Sequence, residues 1–188
     1  MPELCQSLVD EHEVIERVLN ALEGEAAKID SGAAVERYFF SEAIAFVREF
    51  TDRVHHQKEE TILFPRMVAA GLPKEGGPIA VMLEEHEIGR SHVRAMSESL
   101  DKAIQGDAGA RRSLIDAARS YVSLVRGHIQ KENNILFPMA EHIFDPVAKA
   151  TIHDEFSKAG KKDAVATDKR RRWAESLEQT RSPAPQRR

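Results

Sequence analysis

The chain has 188 residues, 41% hydrophobic and 31% charged, with a formal net charge of −4. It contains no uninterrupted apolar run approaching the roughly 18 residues of a membrane span, and its single cysteine, Cys5, excludes an internal disulfide framework and favours a reducing, cytoplasmic setting. The charge is uneven: residues 158–188 carry ten Lys or Arg against four Asp or Glu, a balance of +6, and the rest sits near −10.

Low aromatic content and abundant Ala, Glu, Leu, Arg and Lys favour an all-helical protein. The opening Met1-Pro2-Glu3-Leu4-Cys5 has neither a basic nor an apolar segment of a secretion signal. Leu4, Leu8, Ile15, Val18, Leu19 and Leu22 keep a helical period, which predicts a helix over 4–30 ended by Asp30-Ser31-Gly32. A second helix is expected from Ala33 through Phe40, Ile44, Phe50, Val54 and Leu63, ending at Pro65 or at Ala70-Gly71-Leu72-Pro73. Lys74-Glu75-Gly76-Gly77-Pro78 reads as a loop. A third helix is expected over 79–105, a turn at Gly106-Asp107-Ala108-Gly109, and a fourth helix over 110–140.

Four long amphipathic helices joined by short turns predict an all-α, up-down-up-down four-helix bundle spanning residues 1–143. Asp145-Pro146 opens a short fifth helix, and 165–179, around Trp173 and Leu177, suits a sixth, so 144–180 forms a C-terminal helical extension. Residues 181–188 have nothing to bury and are expected to be disordered.

A pattern of histidine and glutamate occurs twice. His55-His56-Gln57-Lys58-Glu59-Glu60-Thr61-Ile62-Leu63-Phe64-Pro65 is echoed by His128-Ile129-Gln130-Lys131-Glu132-Asn133-Asn134-Ile135-Leu136-Phe137-Pro138. A Glu-His pair precedes each copy by 42 to 43 residues, Glu11-His12 before the first and Glu85-His86 before the second. Residues four apart lie on one helix face, so His55 with Glu59, and His128 with Glu132, can each present an imidazole and a carboxylate to one point. His12 and His86 add single imidazoles from the other two helices. The metal-binding set expected is His12, His55, Glu59, His86, His128 and Glu132, arranged with a pseudo-two-fold. No cysteine takes part, and mixed nitrogen and oxygen donors suit iron or manganese better than structural zinc.

Other residues have competing readings. His56 and Glu60 are also four apart, but their counterparts are Ile129 and Asn133, so the repeat decides for His55 and Glu59. Glu11 and Glu85 can accept from the imidazoles or face solvent. Arg90 can face the site or solvent, Tyr121 reads as core, and His92, His142 and His153 read as surface. Lys169-Arg170-Arg171-Arg172-Trp173 reads as a solvated basic helix, one that can pack on the acidic bundle; nucleic acid is not expected as a partner, since no DNA-binding motif accompanies it.

Over residues 4–143 these motifs resemble the hemerythrin-like family of His-His-Glu cation-binding domains. The resemblance implies two iron ions, Fe2+/Fe3+ with an oxo or hydroxo bridge, manganese not being excluded, with Glu59 and Glu132 bridging. Oxygen-carrying hemerythrins place a second histidine one turn after the third-helix ligand, where this chain has Arg90. They also use His-x4-Asp on the fourth helix, where this chain has Asn133 at the aspartate's place. One nitrogen donor is thus missing, and the site is expected to be more open, closer to bacterial hemerythrin-like proteins that sense or handle oxygen, nitric oxide, peroxide or iron. The expected function is therefore binding of, or reaction with, a small diatomic oxidant or peroxide. The alternatives are an iron or redox sensor or iron-handling module that acts on a protein partner through the basic tail, and a peroxide-decomposing, catalase-like enzyme.

Overall fold

The computed structural model describes residues 4–162 and 164–179, and every regular element among them is helical. Helix α1 is Gln6–Asp30. Helix α2 (37–69) is a continuous rod that begins α-helical (Arg37–Phe46), widens into π-helical segments (Val47–His56 and Glu59–Leu63) and closes α-helical (Phe64–Ala69). Helix α3 is Pro78–Ile104. Helix α4 (108–143) repeats the plan of α2 with Ala108–Lys131, a π segment at Glu132–Leu136, and Phe137–Ile143. Helices α5, Pro146–Lys162, and α6, Ala164–Gln179, follow the bundle. The segment 181–188, expected to be disordered, lies outside the described residues.

The turns follow the pseudo-two-fold. Gly32 and Gly106 take φ of +101° and +89° after α1 and α3. The next residue in each case donates back into the last turn, Ala33 N–H to Lys28 and Asp107 N–H to Lys102, both at 3.0 Å. Only glycine adopts that backbone at little cost, and the bond satisfies a carbonyl the helix end would leave bare. Asp107 then caps α4 by accepting from the Ala110 N–H at 2.7 Å.

Neither Pro65 nor Pro138 ends its helix. Proline has no N–H for the carbonyl four residues back, and its ring crowds that carbonyl. The chain answers by widening upstream: Phe64 N–H donates to Glu59 O and Phe137 N–H to Glu132 O, each five residues back. Such π turns are local relaxations of an α-helix. Here each begins at the repeated glutamate.

The buried apolar side chains form two clusters. One, with Ile15, Leu22, Phe46, Phe50 and Tyr121 among its members, fills the bundle toward the Gly32 and Gly106 turns. The other gathers Leu8, Phe64, Met67, Met82 and Phe137 toward the opposite end. Between them lies a layer of buried histidines and glutamates. Helix α5 contributes Ile152 and Phe156 to the second cluster, and α6 contributes Ala174 to the first, with Trp173 and Leu177 packed against it. Arg170 of α6 is buried and donates to Glu42 at 2.7 Å and Glu49 at 2.8 Å. Arg171 places its guanidinium 5.2 Å from the Phe50 ring, a favourable cation–π distance. Among the described residues no helix is long and apolar enough to cross a membrane.

Candidate metal centre

The six residues singled out by the repeat converge in the polar layer, all of them buried. His12 Nε2 lies 3.1 Å from His55 Nε2, and His86 Nε2 lies 3.1 Å from His128 Nε2. The two carboxylates span the pairs. Glu59 sets Oε1 3.6 Å from His55 Nε2 and Oε2 3.5 Å from His86 Nε2. Glu132 sets Oε2 3.1 Å from His12 Nε2 and Oε1 3.1 Å from His128 Nε2. Each glutamate therefore gives one oxygen to each half.

The far sides of the four rings fix which nitrogen carries the proton. His55 Nδ1 donates to Glu11 at 3.1 Å and His128 Nδ1 to Glu85 at 2.9 Å. His12 Nδ1 donates to Asn133 at 3.0 Å and His86 Nδ1 to Glu60 at 2.7 Å. A carboxylate or amide oxygen can only accept, so every Nδ1 holds a hydrogen and, in the neutral imidazole, every Nε2 turns a lone pair inward. All four carboxylate oxygens of Glu59 and Glu132 are buried without a hydrogen-bond donor. Facing lone pairs at 3.1 Å and orphaned carboxylates repel, and buried polar atoms are costly when unpaired. Cations at the two foci resolve both conflicts. The residues thus fit a pair of metal ions, with imidazole and carboxylate donors suited to iron or manganese.

Electrostatics point the same way. Burial, then the adjoining Glu132 carboxylate, pushes Glu59 well above the usual carboxylate range. For Glu132 burial acts in the same upward sense, but His128 and His12 outweigh it and hold the group low. Burial pushes His55 down to about 4, with Glu11 opposing, which keeps the imidazole neutral and able to donate its lone pair. Burial also opposes ionisation of Glu11, yet its bond to His55 and its contact with Lys58 hold it below the usual range.

The pseudo-two-fold extends outward. Lys58 donates to Glu11 at 2.5 Å, and Lys131 donates to Glu85. These lysines stand immediately before Glu59 and Glu132 in both copies of the motif, a signal the repeat offered but a reading limited to metal donors passes over. Glu11 and Glu85, for which a solvent-facing role was equally open, both turn to imidazoles.

Other positions break the symmetry. Arg90 faces a polar cluster: it donates to Asp52 at 2.8 Å and to Glu60 at 2.7 Å, and Glu60 in turn accepts from His86. His56, which the repeat had set aside, is buried against His86, the rings stacked at 3.7 Å with 14° between planes. Its ligand atom lies within 4.8 Å of those of Glu59, His86 and His128. So stacked, His56 clamps the His86 ring, and its own nitrogen stands close enough to join that half of the centre. Beside His86 and His128 a cavity of about 210 Å³ opens, with Tyr121 and Gly89 in its wall. Tyr121 is core, as expected, and also touches this space. His142 and His153 are exposed and His92 is half-buried, away from the six.

Residues 5–140 match the family model described as the hemerythrin HHE cation binding domain. The chain is also similar to an iron-sulfur cluster repair protein YtfE of Pectobacterium atrosepticum, at 34% identity over 46% of this chain and 40% of that protein. The YtfE of Musicola paradisiaca is 36% identical over the same shares. The uncharacterized protein Rv1995 of Mycobacterium tuberculosis is 24% identical over 76% of this chain and 55% of its own length. The chain thus spans about half the length of the curated relatives it matches. No solved structure matches it.

Proposed function

The chain belongs to the hemerythrin HHE cation-binding domain family, and on that premise we propose that it is a non-haem di-iron protein that binds or reacts with a small oxidant such as oxygen, nitric oxide or peroxide. The observation that carries this reading is the sharing of Glu59 and Glu132 between two histidine pairs. His12 and His55 would hold one iron, His86 and His128 the other. When bound, such a pair supplies redox chemistry at an open coordination position.

The rest is the work of the chain. Glu11, Glu60, Glu85 and Asn133 hold the four rings in the tautomer that donates through Nε2 and orient them, as outer hydrogen bonds do at metal-bound histidines. The two apolar clusters exclude water from the layer on either side, which strengthens electrostatic interactions within it.

Iron content per chain, with an absorption spectrum before and after anaerobic reduction, tests the reading. About two irons, with a charge-transfer band that bleaches on reduction, is the expected result, and Glu59→Gln with Glu132→Gln should abolish or halve the loading. Normal loading in that double variant would overturn it. A second reading is favoured by the relatives' names: an iron-handling protein in iron–sulfur cluster repair. Transfer of iron from the loaded chain to a cluster-depleted acceptor protein, absent with the double variant, distinguishes it.

A further inference from the structure

The two halves of the centre are built alike, yet the cavity that touches its histidines among the described residues lies against one of them. The cavity of about 210 Å³ touches His86, His128 and His56 at its inner end. Three substitutions across the pseudo-two-fold account for this. Gly89, three residues after His86, stands where Ile15 stands after His12, and Ile15 is 1% exposed within the core. A Cβ on Gly89 would meet only Tyr121 at 3.7 Å and Leu124 at 3.8 Å, ordinary contacts, so the position is open and not merely tight. His56 replaces the apolar Ile129, and Arg90 replaces Glu16, withdrawn toward Asp52 and Glu60.

The outer surface is asymmetric in the same sense. Helix α6 packs along α1 and α2, where Arg171 approaches Glu11 at 3.8 Å and covers Phe50. It thereby lies over Glu11, the carboxylate that holds His55. The corresponding side of α3 and α4 holds the cavity. Its walls are apolar at Val47, Val93, Leu124 and Val125; its two carboxylates, Asp52 and Glu85, are engaged by Arg90 and by His128 and Lys131, while the exposed Arg48 and Arg94 at the rim make no ion pair among the described residues.

Resting on the two-metal reading above, we propose that exogenous ligands reach only the His86/His128 position, through this cavity, and that Arg48 and Arg94 select small anions. The walls admit a slim, weakly hydrated species, and the two guanidinium groups raise its local concentration by charge. The His12/His55 position, flanked by Ile15 and α6, is the coordinatively guarded partner. The carrier-type histidine absent at Arg90 belongs to the same half, so space and the missing donor coincide.

The test uses the iron-loaded full chain with azide as probe, followed by its charge-transfer absorption in stopped flow. Wild type should bind azide with a rate that falls as ionic strength rises. Gly89→Leu should keep its iron and lose the azide band, while Gly89→Ala, whose Cβ fits, should keep both. Arg48→Glu with Arg94→Glu, both exposed, should slow association by about tenfold and invert its salt dependence. Azide binding by iron-loaded Gly89→Leu at the wild-type affinity would overturn the proposal. So would an iron-loaded wild type that takes no azide, or a charge-reversed variant with an unchanged rate, the arm that decides if Gly89→Leu does not fold. A wild type that holds no iron defeats the two-metal reading itself and removes this inference with it, an outcome the metal assay separates from the others.

Discussion

Glu11 holds His55 through one carboxylate oxygen at 3.1 Å while the other takes a bond from Lys58 at 2.5 Å. Glu85 does the same for His128 and Lys131. The two arrangements differ in solvent access: the Lys58 side chain is 5% exposed and that of Lys131 is 38% exposed.

Loss of either carboxylate loosens a donor ring. Glu11→Gln and Glu85→Gln should each weaken metal affinity by about 10–100-fold, measured by competition with a chelator. Glu11→Ala should in addition lower stability by about 3–5 kcal/mol, because it strands a buried ammonium. Glu85→Ala should cost much less, since water can reach Lys131. Equal losses of melting temperature in the two alanine variants would contradict this assignment.

Glu59 gives a prediction of opposite sign for the metal-depleted protein. Its folded pKa is raised above the unfolded value of 4.5, so its contribution is favourable below about 4.5 and is lost as pH rises through the folded value. At pH 7.5 the group therefore destabilises the depleted fold. Glu59→Gln should then be more stable than wild type by about 1–3 kcal/mol when both are stripped of metal at pH 7.5, with the gap closing toward pH 4. Thermal melts at the two pH values measure it.

His56 predicts acid sensitivity. Burial, then the neighbouring His86, holds its pKa well below 6.5, so the unfolded chain takes up a proton that the folded chain refuses as pH falls below about 6.5. Stability then falls with pH by about 1.4 kcal/mol per unit from this one group. His128, whose pKa is raised by Glu132 and Glu85 against the opposing effect of burial, works in the other direction. His56→Phe keeps a ring to stack on His86 and cannot titrate, so in depleted protein its stability should fall less steeply than that of wild type between pH 7 and 5.

Arg170 anchors α6. Replacing it with Ala removes two charge-assisted bonds, to Glu42 and Glu49, and should cost about 1–3 kcal/mol. Amide exchange in α6 should accelerate while iron content stays unchanged. A loss of iron would instead mean that α6 supports the centre itself.

The sequence carried much of this architecture because its signals are local and repeated. Leu8, Ile15, Leu19 and Leu22 mark the inner face of α1 by period alone, and all four are buried. That these six histidines and glutamates would converge was legible because two copies of one motif constrain each other, and all six are buried in one layer. What escaped depends on geometry that strings do not encode. Pro65 was one of two helix ends the sequence offered, yet packing of Phe64 and Met67 into the second cluster carries α2 on to Ala69, next to the other, at the cost of a widened turn. His56 was set aside because its counterpart is Ile129, and that mismatch is itself where the two halves diverge. Asp52, which accepts from Arg90, and Glu42 and Glu49, which accept from Arg170, lie 38 and more than 100 residues from those arginines, beyond what periodicity can pair.

The Gly32 and Gly106 turns close two helical hairpins of one design, α1 with α2 and α3 with α4. Two separate but identical hairpins meeting across a dyad would be bound to carry the same residue at both equivalent places: glycine in both, opening two routes and thinning the core, or isoleucine in both, sealing the ions in. Joining the hairpins in one chain lifts that restriction. One copy is free to be a wall and the other a door.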